Sequence, residues 1–235
     1  MRFSIHYAII SHNRPENVVK MEKITGISEK LNWYVGKGEK KAYKHAKGTV
    51  VEGGTLCESR NRALIIANAC TAHCLMMDDD LEWINYFTEN GEKTIPFKVM
   101  VSTMKEILES SPLYLVGTAS TINRFFYHPD KPLGLKHFIG GWCTMTKYQA
   151  DPRYDEKLKT KEDYDITLQH IKQYGGAIRI NFLAPHFKHY NNKGGVVDIR
   201  TPKIEQQSIA ILKKKWGATI QDNPRRPNEI LLRIK

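Results

Sequence analysis

The stretch Cys74-Leu75-Met76-Met77 runs without a break into Asp78-Asp79-Asp80. A short apolar run with no polar alternation suits a central strand covered on both faces, as in a parallel sheet flanked by helices. The carboxylates then stand at the carboxyl end of that strand, where open α/β sheets bind their ligands. Three adjacent negative charges at the lip of a buried segment repel one another and lose hydration, so something of opposite charge has to balance them.

The rest of the chain carries the alternation that such a sheet needs. A first strand is predicted over 3–10, followed by the polar turn Ser11-His12-Asn13-Arg14-Pro15 and a helix over 16–31 with Gly26 as its weak point. A second strand over 32–35 precedes a lysine-dense stretch over 37–47, and a short strand is expected over 49–51. A helical pattern from Leu56 through Ala67 leads into the apolar run. Strand, helix, strand, helix, strand is the rhythm of a parallel sheet. Beyond the aspartates come a helix over 97–110, a strand over 113–117 and a β-rich stretch over 138–146 broken by Gly140-Gly141. Thr160 opens a further helix, with a Thr-x-x-Asp capping box to Asp163 and a Gly175-Gly176 stop. A late strand over 178–183 and a tail helix over 204–216 complete the pattern. The fold class is α/β, a mostly parallel sheet flanked by helices. Its 235 residues suit one large domain over 1–200, with 201–235 as a basic helical extension packed on it.

The formal net charge is +11, which suggests a polyanionic partner or simply a lysine-rich surface. No apolar run approaches the roughly 20 residues of a membrane span, and the N-terminal apolar stretch is too short and too interrupted for a signal peptide. Cys57, Cys70, Cys74 and Cys143 form no metal or disulfide spacing and read as reduced thiols of a cytoplasmic protein.

Four short segments carry candidate chemistry. In an extended strand Asp78 and Asp80 point the same way and Asp79 the other. The outer pair can hold a hard cation and a ribose or sugar hydroxyl, or else Asp79 caps a helix that continues through Glu82, Trp83, Ile84 and Phe87. Glu162-Asp163 is either a well-charged helix start or a rigidly held general base. His186 and His189 precede Asn-Asn-Lys193-Gly-Gly, which pairs an imidazole ligand for a metal with a loop able to close on a phosphate. Gly140-Gly141-Trp142 marks a bulge or a close backbone approach, with Trp142 either packed or free to stack on a sugar or base.

In this order the segments DDD (78–80), GGW (140–142), KED (161–163) and the late histidines resemble a GT-A fold glycosyltransferase, and Arg60-Asn61 resembles the Arg-Asn pair that opens the helix leading to that family's aspartate motif. The resemblance spans about residues 3–195. It implies that Asp80 and His189, with His186 as competitor, bind Mn²⁺ or Mg²⁺, and that Asp78 contacts the donor ribose or sugar. It further implies that Ser11, Asn13, Arg14, Arg60, Asp79 and Lys193 line the nucleotide-sugar site. Asp163 becomes the catalytic base with Glu162 beside it, and Gly140, Gly141 and Trp142 face the acceptor. The acidic residue that reads uracil in many members has only Glu39 as a counterpart, so a UDP-sugar is the expected donor with its base open. The compact basic chain with SRNRAL, MMDDDLEW, KEDYD and HYNNKGG is similar to the phage glycosyltransferases associated with hypermodified DNA bases. That similarity implies a hydroxylated pyrimidine such as 5-hydroxymethylcytosine as acceptor, an inverting displacement, and a place in the cytoplasm of the bacterial host. A surface polysaccharide or protein acceptor, or a metal-dependent nucleic-acid-processing enzyme, remains the competing expectation.

Overall fold

The apolar run is the spine of the molecule. In the computed structural model, which describes residues 3–188, 195 and 199–234, it forms β4 (Ala72–Asp78), buried at every position except Asp78. β1 (Ser4–Ile10) lies parallel beside it, with Ala8 level with Met76 and Ile10 with Asp78. Side chains of a strand alternate between faces, and the core divides accordingly. Ile9, Leu75 and Met77 pack to one side with Val18, Met21, Met100 and Met104. Ala8, Ile10, Cys74 and Met76 pack to the other with Cys57, Ala63, Leu64 and Ala67. The first face is therefore covered by α1 (Asn17–Thr25) and α3 (Phe97–Glu109), the second by α2 (Leu56–Ala69).

β2 (Leu31–Val35) and β3 (Thr49–Glu52) extend the sheet in parallel on one side of β1. On the far side of β4 lie β9 (Cys143–Thr146), reversed, then β7 (Leu115–Thr118), β10 (Ile178–Ile180) and the short reversed β8 (Leu133–Gly134). The eight-stranded order is β3-β2-β1-β4-β9-β7-β10-β8, with six strands running one way and only β9 and β8 against them. The protein is thus α/β with a mostly parallel mixed sheet between helices. Among the described residues no helix is long and apolar enough to cross a membrane. All four cysteines are free thiols, and only Cys70 is exposed.

Several boundaries depart from expectation. The first helix stops at Thr25 because Gly26 takes a left-handed φ of 66° and caps it. No helix follows the aspartates: Leu81–Thr88 is β5, which pairs antiparallel with β6 (Gly91–Thr94) and with β11 (Leu183–Phe187) in a separate three-stranded sheet. The expected late strand is accordingly two strands, β10 in the main sheet and β11 in the small one. The capping box at Thr160 is absent. α4 (Glu162–Tyr174) is capped by Lys161 in a left-handed conformation, φ 61°, with no side-chain cap, while the Thr160 hydroxyl pairs with Ser208 at 3.1 Å. The capping box that does form lies at the start of α2, where Thr55 and Glu58 satisfy each other's backbone N–H.

The C-terminal residues form α5 (Pro202–Trp216) and a hairpin of β12 (Ile220–Asp222) with β13 (Ile230–Leu232). Ile209, Leu212, Ile220 and Ile230 make one apolar cluster with Leu158 and Leu168, so α5 and the hairpin pack on α4. The fully buried Asp165 of α4 accepts hydrogen bonds from Trp216 Nε1 (2.7 Å) and Lys215 Nζ (2.8 Å).

If β4 carries the core, Leu75→Ala should destabilise the protein by about 2–5 kcal/mol, because Leu75 is fully buried. Ile65→Ala, at a position 57% exposed on α2, should change stability by no more than about 0.5 kcal/mol. Urea unfolding midpoints at constant slope give both numbers.

Candidate functional site

The carboxyl ends of β1 and β4, the turn before β9 and the start of α4 meet at one edge of the sheet. Asp78 N–H donates to the Trp142 carbonyl at 3.0 Å, so the last residue of β4 is fixed against Gly140-Gly141-Trp142. Arg60, on the buried face of α2, joins the two acidic segments. Its Nη2 lies 3.5 Å from Asp78 Oδ1 and 3.7 Å from Glu162 Oε1. The guanidinium sits over the Tyr154 ring, 5.3 Å from its centroid. A Cβ on Gly141 would come within 2.5 Å of Arg60 Nη1, so this position admits only glycine while Arg60 stays in place. Gly140 is closed in the same way by the Trp142 ring, 2.0 Å from a would-be Cβ. The paired glycines thus mark a close backbone approach. Asp163 Oδ2 accepts the Gly141 N–H at 3.4 Å and Oδ1 accepts the Tyr164 N–H at 3.0 Å, which turns this carboxylate toward the same edge.

A second arginine serves the other two aspartates. Arg14 Nη1 is 3.2 Å from Asp79 and 3.4 Å from Asp80. The Ser11 hydroxyl donates to Asp79 Oδ2 and shares a 2.6 Å hydrogen bond with Tyr43. The Tyr43 hydroxyl also accepts the Arg14 N–H at 3.0 Å. Asn13 adopts a left-handed φ of 55° and donates its N–H to Glu39 Oε2 at 2.9 Å, while His12 Nδ1 contacts Glu39 Oε1 at 2.5 Å. Both Glu39 oxygens are therefore engaged by the turn itself. Tyr43 anchors a segment whose Lys37, Lys40, Lys41, Lys44 and Lys47 are all exposed, so five cationic side chains project from the stretch that follows this turn.

Burial raises the carboxyls of this edge. Asp78 is pushed up to about 8 by burial, with Arg60 opposing and Asp80, Asp79 and Glu162 adding to the rise. Asp79 rises to about 6 through burial, held back by its bonds from Ser11 and Arg14. Asp163 rises to about 7 through burial and the adjacent Glu162 carboxylate, against Arg60 and its two backbone N–H bonds.

The residues fit a hard cation in part. Asp80 Oδ1 is buried with no hydrogen-bond partner, and Asp78 is the one carboxylate of the trio with appreciable exposure, 30% of its side chain. An orphaned carboxylate oxygen beside a second carboxylate is oxygen chemistry suited to Mn²⁺ or Mg²⁺. Among the described residues no three His, Cys, Asp or Glu side chains are grouped closely enough to hold a metal ion together. His189 and Lys193 lie outside the described residues. His186 is committed elsewhere: its Nδ1 is 3.1 Å from Glu82 and its ring stacks on Trp83 at 3.9 Å.

The structure thus gathers Asp78, Asp79, Asp80, Ser11, Arg14, Arg60, Gly140, Gly141, Trp142, Glu162 and Asp163 at one edge, with Asn13 and Glu39 flanking. Two residues of the site escaped sequence reasoning. Tyr43 gave only the weak signal of a lone tyrosine among lysines, and Tyr154 gave none, since its place under Arg60 is set by contacts about 90 residues apart in sequence, such as the 2.8 Å bond from Tyr154 N–H to Asn61.

The raised Asp78 carboxyl has a consequence for stability. In the unfolded chain Asp78 ionises near 3.8, whereas in the fold it holds its proton until about 8. Between those values the native state binds more protons, so stability falls as pH rises. Asp78→Asn, which cannot ionise, should escape that loss. Its thermal midpoint relative to wild type should climb steadily from about pH 5 to about pH 8, as scanning fluorimetry in a pH series would record.

No protein-family model matches the chain, and a search of curated proteins finds no match either.

Proposed function

We propose that the chain is a GT-A glycosyltransferase that moves a sugar from a nucleotide sugar, expected to be UDP-linked, to a hydroxylated pyrimidine in DNA. The observation that carries this reading is Arg60. One buried guanidinium nitrogen bridges the end of the β4 aspartate strand and the acidic start of α4. The reaction needs a donor-side acidic group and an acceptor-side base within one small volume, and the Arg60 bridge from Asp78 to Glu162, the neighbour of Asp163, supports that pairing. The strand order, with β1, β2 and β3 on one side of β4 and the reversed β9 on the other, supports a nucleotide half followed by an acceptor half.

In this reading Asp80 would hold the divalent cation with His189, and Asp78 would contact the donor ribose or sugar. A cation held there would neutralise charge developing on the departing diphosphate. Ser11, Asn13 and Arg14 line the nucleotide side, and the exposed lysines of 37–47 attract phosphate. Asp163 takes the proton of the acceptor hydroxyl. The hydroxyl oxygen bonds to the anomeric carbon as the bond from that carbon to the diphosphate oxygen breaks, and the diphosphate leaves with the electron pair. One such displacement inverts the anomeric centre. Asp163 must be ionised to act, so with its carboxyl near 7 kcat/KM should fall about tenfold per pH unit below that value and level off above it.

Incubation with Mn²⁺, UDP-sugars and DNA containing 5-hydroxymethylcytosine, read by nucleoside mass spectrometry, tests the proposal. A sugar adduct on the modified base and none on unmodified DNA is the expected result. Asp163→Asn should lower transfer by about 10²–10⁴-fold while UDP still raises the thermal midpoint. Full activity in that variant would overturn the assignment of the base, and cleavage of plain DNA abolished by Asp80→Ala would overturn the transferase reading.

A further inference from the structure

Ten large hydrophobic side chains are exposed among the described residues, and five of them, Ile122, Phe125, Phe126, Leu133 and Leu135, fall within the stretch between β7 and β9 that includes β8. The segment also borders a cavity of about 390 Å³, lined by Phe87, Phe126, Tyr127, Asn123, Arg179 and Asn181 among others. That volume suits a ligand of nucleoside size.

The walls are set without a ligand. Arg124 Nη2 donates to the carbonyls of Thr88 (2.7 Å) and Glu89 (2.6 Å), which ties the turn bearing the two phenylalanines to the end of β5. Asn123 caps that turn by accepting the Phe125 N–H at 3.0 Å. On the polar side, Arg179 Nε donates to Asn181 Oδ1 and Asn181 Nδ2 to the Lys131 carbonyl, both at 2.8 Å. Phe125 remains 80% exposed and Phe126 63% exposed on this anchored turn.

The cavity sits on the same edge as the candidate site. The register pairs Met77 with Cys143, Gly117 with Thr144 and Thr118 with Ile180. The strand ends at Asp78, Trp142, Ala119 and Asn181 therefore stand nearly level. β7 is two strands from β4, so the cavity begins about 10 Å from Asp78 across the sheet, and only one strand from the Gly141 that Asp163 contacts. The connection over 119–137 carries Arg124, Lys131 and Lys136 against the single acid Asp130, which favours a polyanion bearing flat rings.

We propose that this cavity receives the acceptor base, a single pyrimidine extruded from DNA and stacked against Phe126 and Tyr127 with its polar edge toward Arg179 and Asn181. This rests on the transferase reading for the identity of the acceptor, and it adds a site for the base. An unpaired base presents two π faces and a hydrogen-bonding edge, which the Phe126 and Tyr127 rings and the Arg179–Asn181 pair lining the same cavity complement.

The test uses the full chain with free 5-hydroxymethyl-2′-deoxycytidine and with duplex DNA containing that base. Saturation-transfer NMR should show the pyrimidine ring protons of the nucleoside in contact with wild type, with the signal lost in Phe126→Ala and weakened in Phe126→Leu, which keeps apolar bulk without a π face. The KM for modified DNA should rise about tenfold to a hundredfold in Phe126→Ala and in Asn181→Ala, with UDP affinity at the wild-type value in both and the thermal midpoint of Phe126→Ala unchanged. Unaltered nucleoside contact and unaltered KM in both variants would overturn the pocket and leave the transferase reading intact. Nucleoside contact that depends on Phe126 in a protein that transfers no sugar would keep the pocket and remove the transferase reading.

Discussion

Five carboxylates, Asp78, Asp79, Asp80, Glu162 and Asp163, converge at one sheet edge, and two buried arginines, Arg14 and Arg60, hold four of them by ion pairs. The electrostatics of the site follow from that mismatch. Two guanidiniums do not neutralise five carboxylates, so with nothing else bound part of the negative charge is removed by protons, and Asp78, Asp79 and Asp163 all sit above the usual carboxylate range. The chain as a whole carries a net charge of +11, so the positive charge elsewhere in the molecule outweighs this acidic centre.

How much of this was legible in the sequence depends on whether the determining contacts are local. β4 announced itself because burial on both faces demands an unbroken apolar run, and the aspartates at its end followed from strand direction alone. β5 was legible only as a helix, because its buried residues Leu81, Ile84 and Phe87 recur every third position. A flat strand would bury every second residue. Here the pairing with β11 shifts register between His186 and Phe187, so Leu81 and Ile84 fall in one core, while Phe87 is buried in a separate cluster with Ala119 and Ala184. The capping box at Thr160 failed for a non-local reason too. Its hydroxyl is taken by Ser208, 48 residues away, and α4 starts instead from a left-handed Lys161.

That lysine shows how the C-terminal residues reach the site. A left-handed, non-glycine residue is disfavoured by roughly 1–3 kcal/mol unless its surroundings hold it. Lys161 is buried and paired with Glu205 of α5, which Arg200 also contacts at 2.8 Å. One turn further along α4, Asp165 is fixed by Trp216 and Lys215 of the same helix. Glu162 and Asp163 lie between these two clamps. A buried ion pair adds little net stability but penalises any arrangement that separates its partners. α5 therefore acts as a brace on the first turn of α4, and the position of Asp163 against Gly141 is set as much by the tail as by the sheet. Changes at Glu205 or Trp216, far in sequence from the acidic edge, act on the same carboxylate that the Gly140-Gly141 approach holds from the other side.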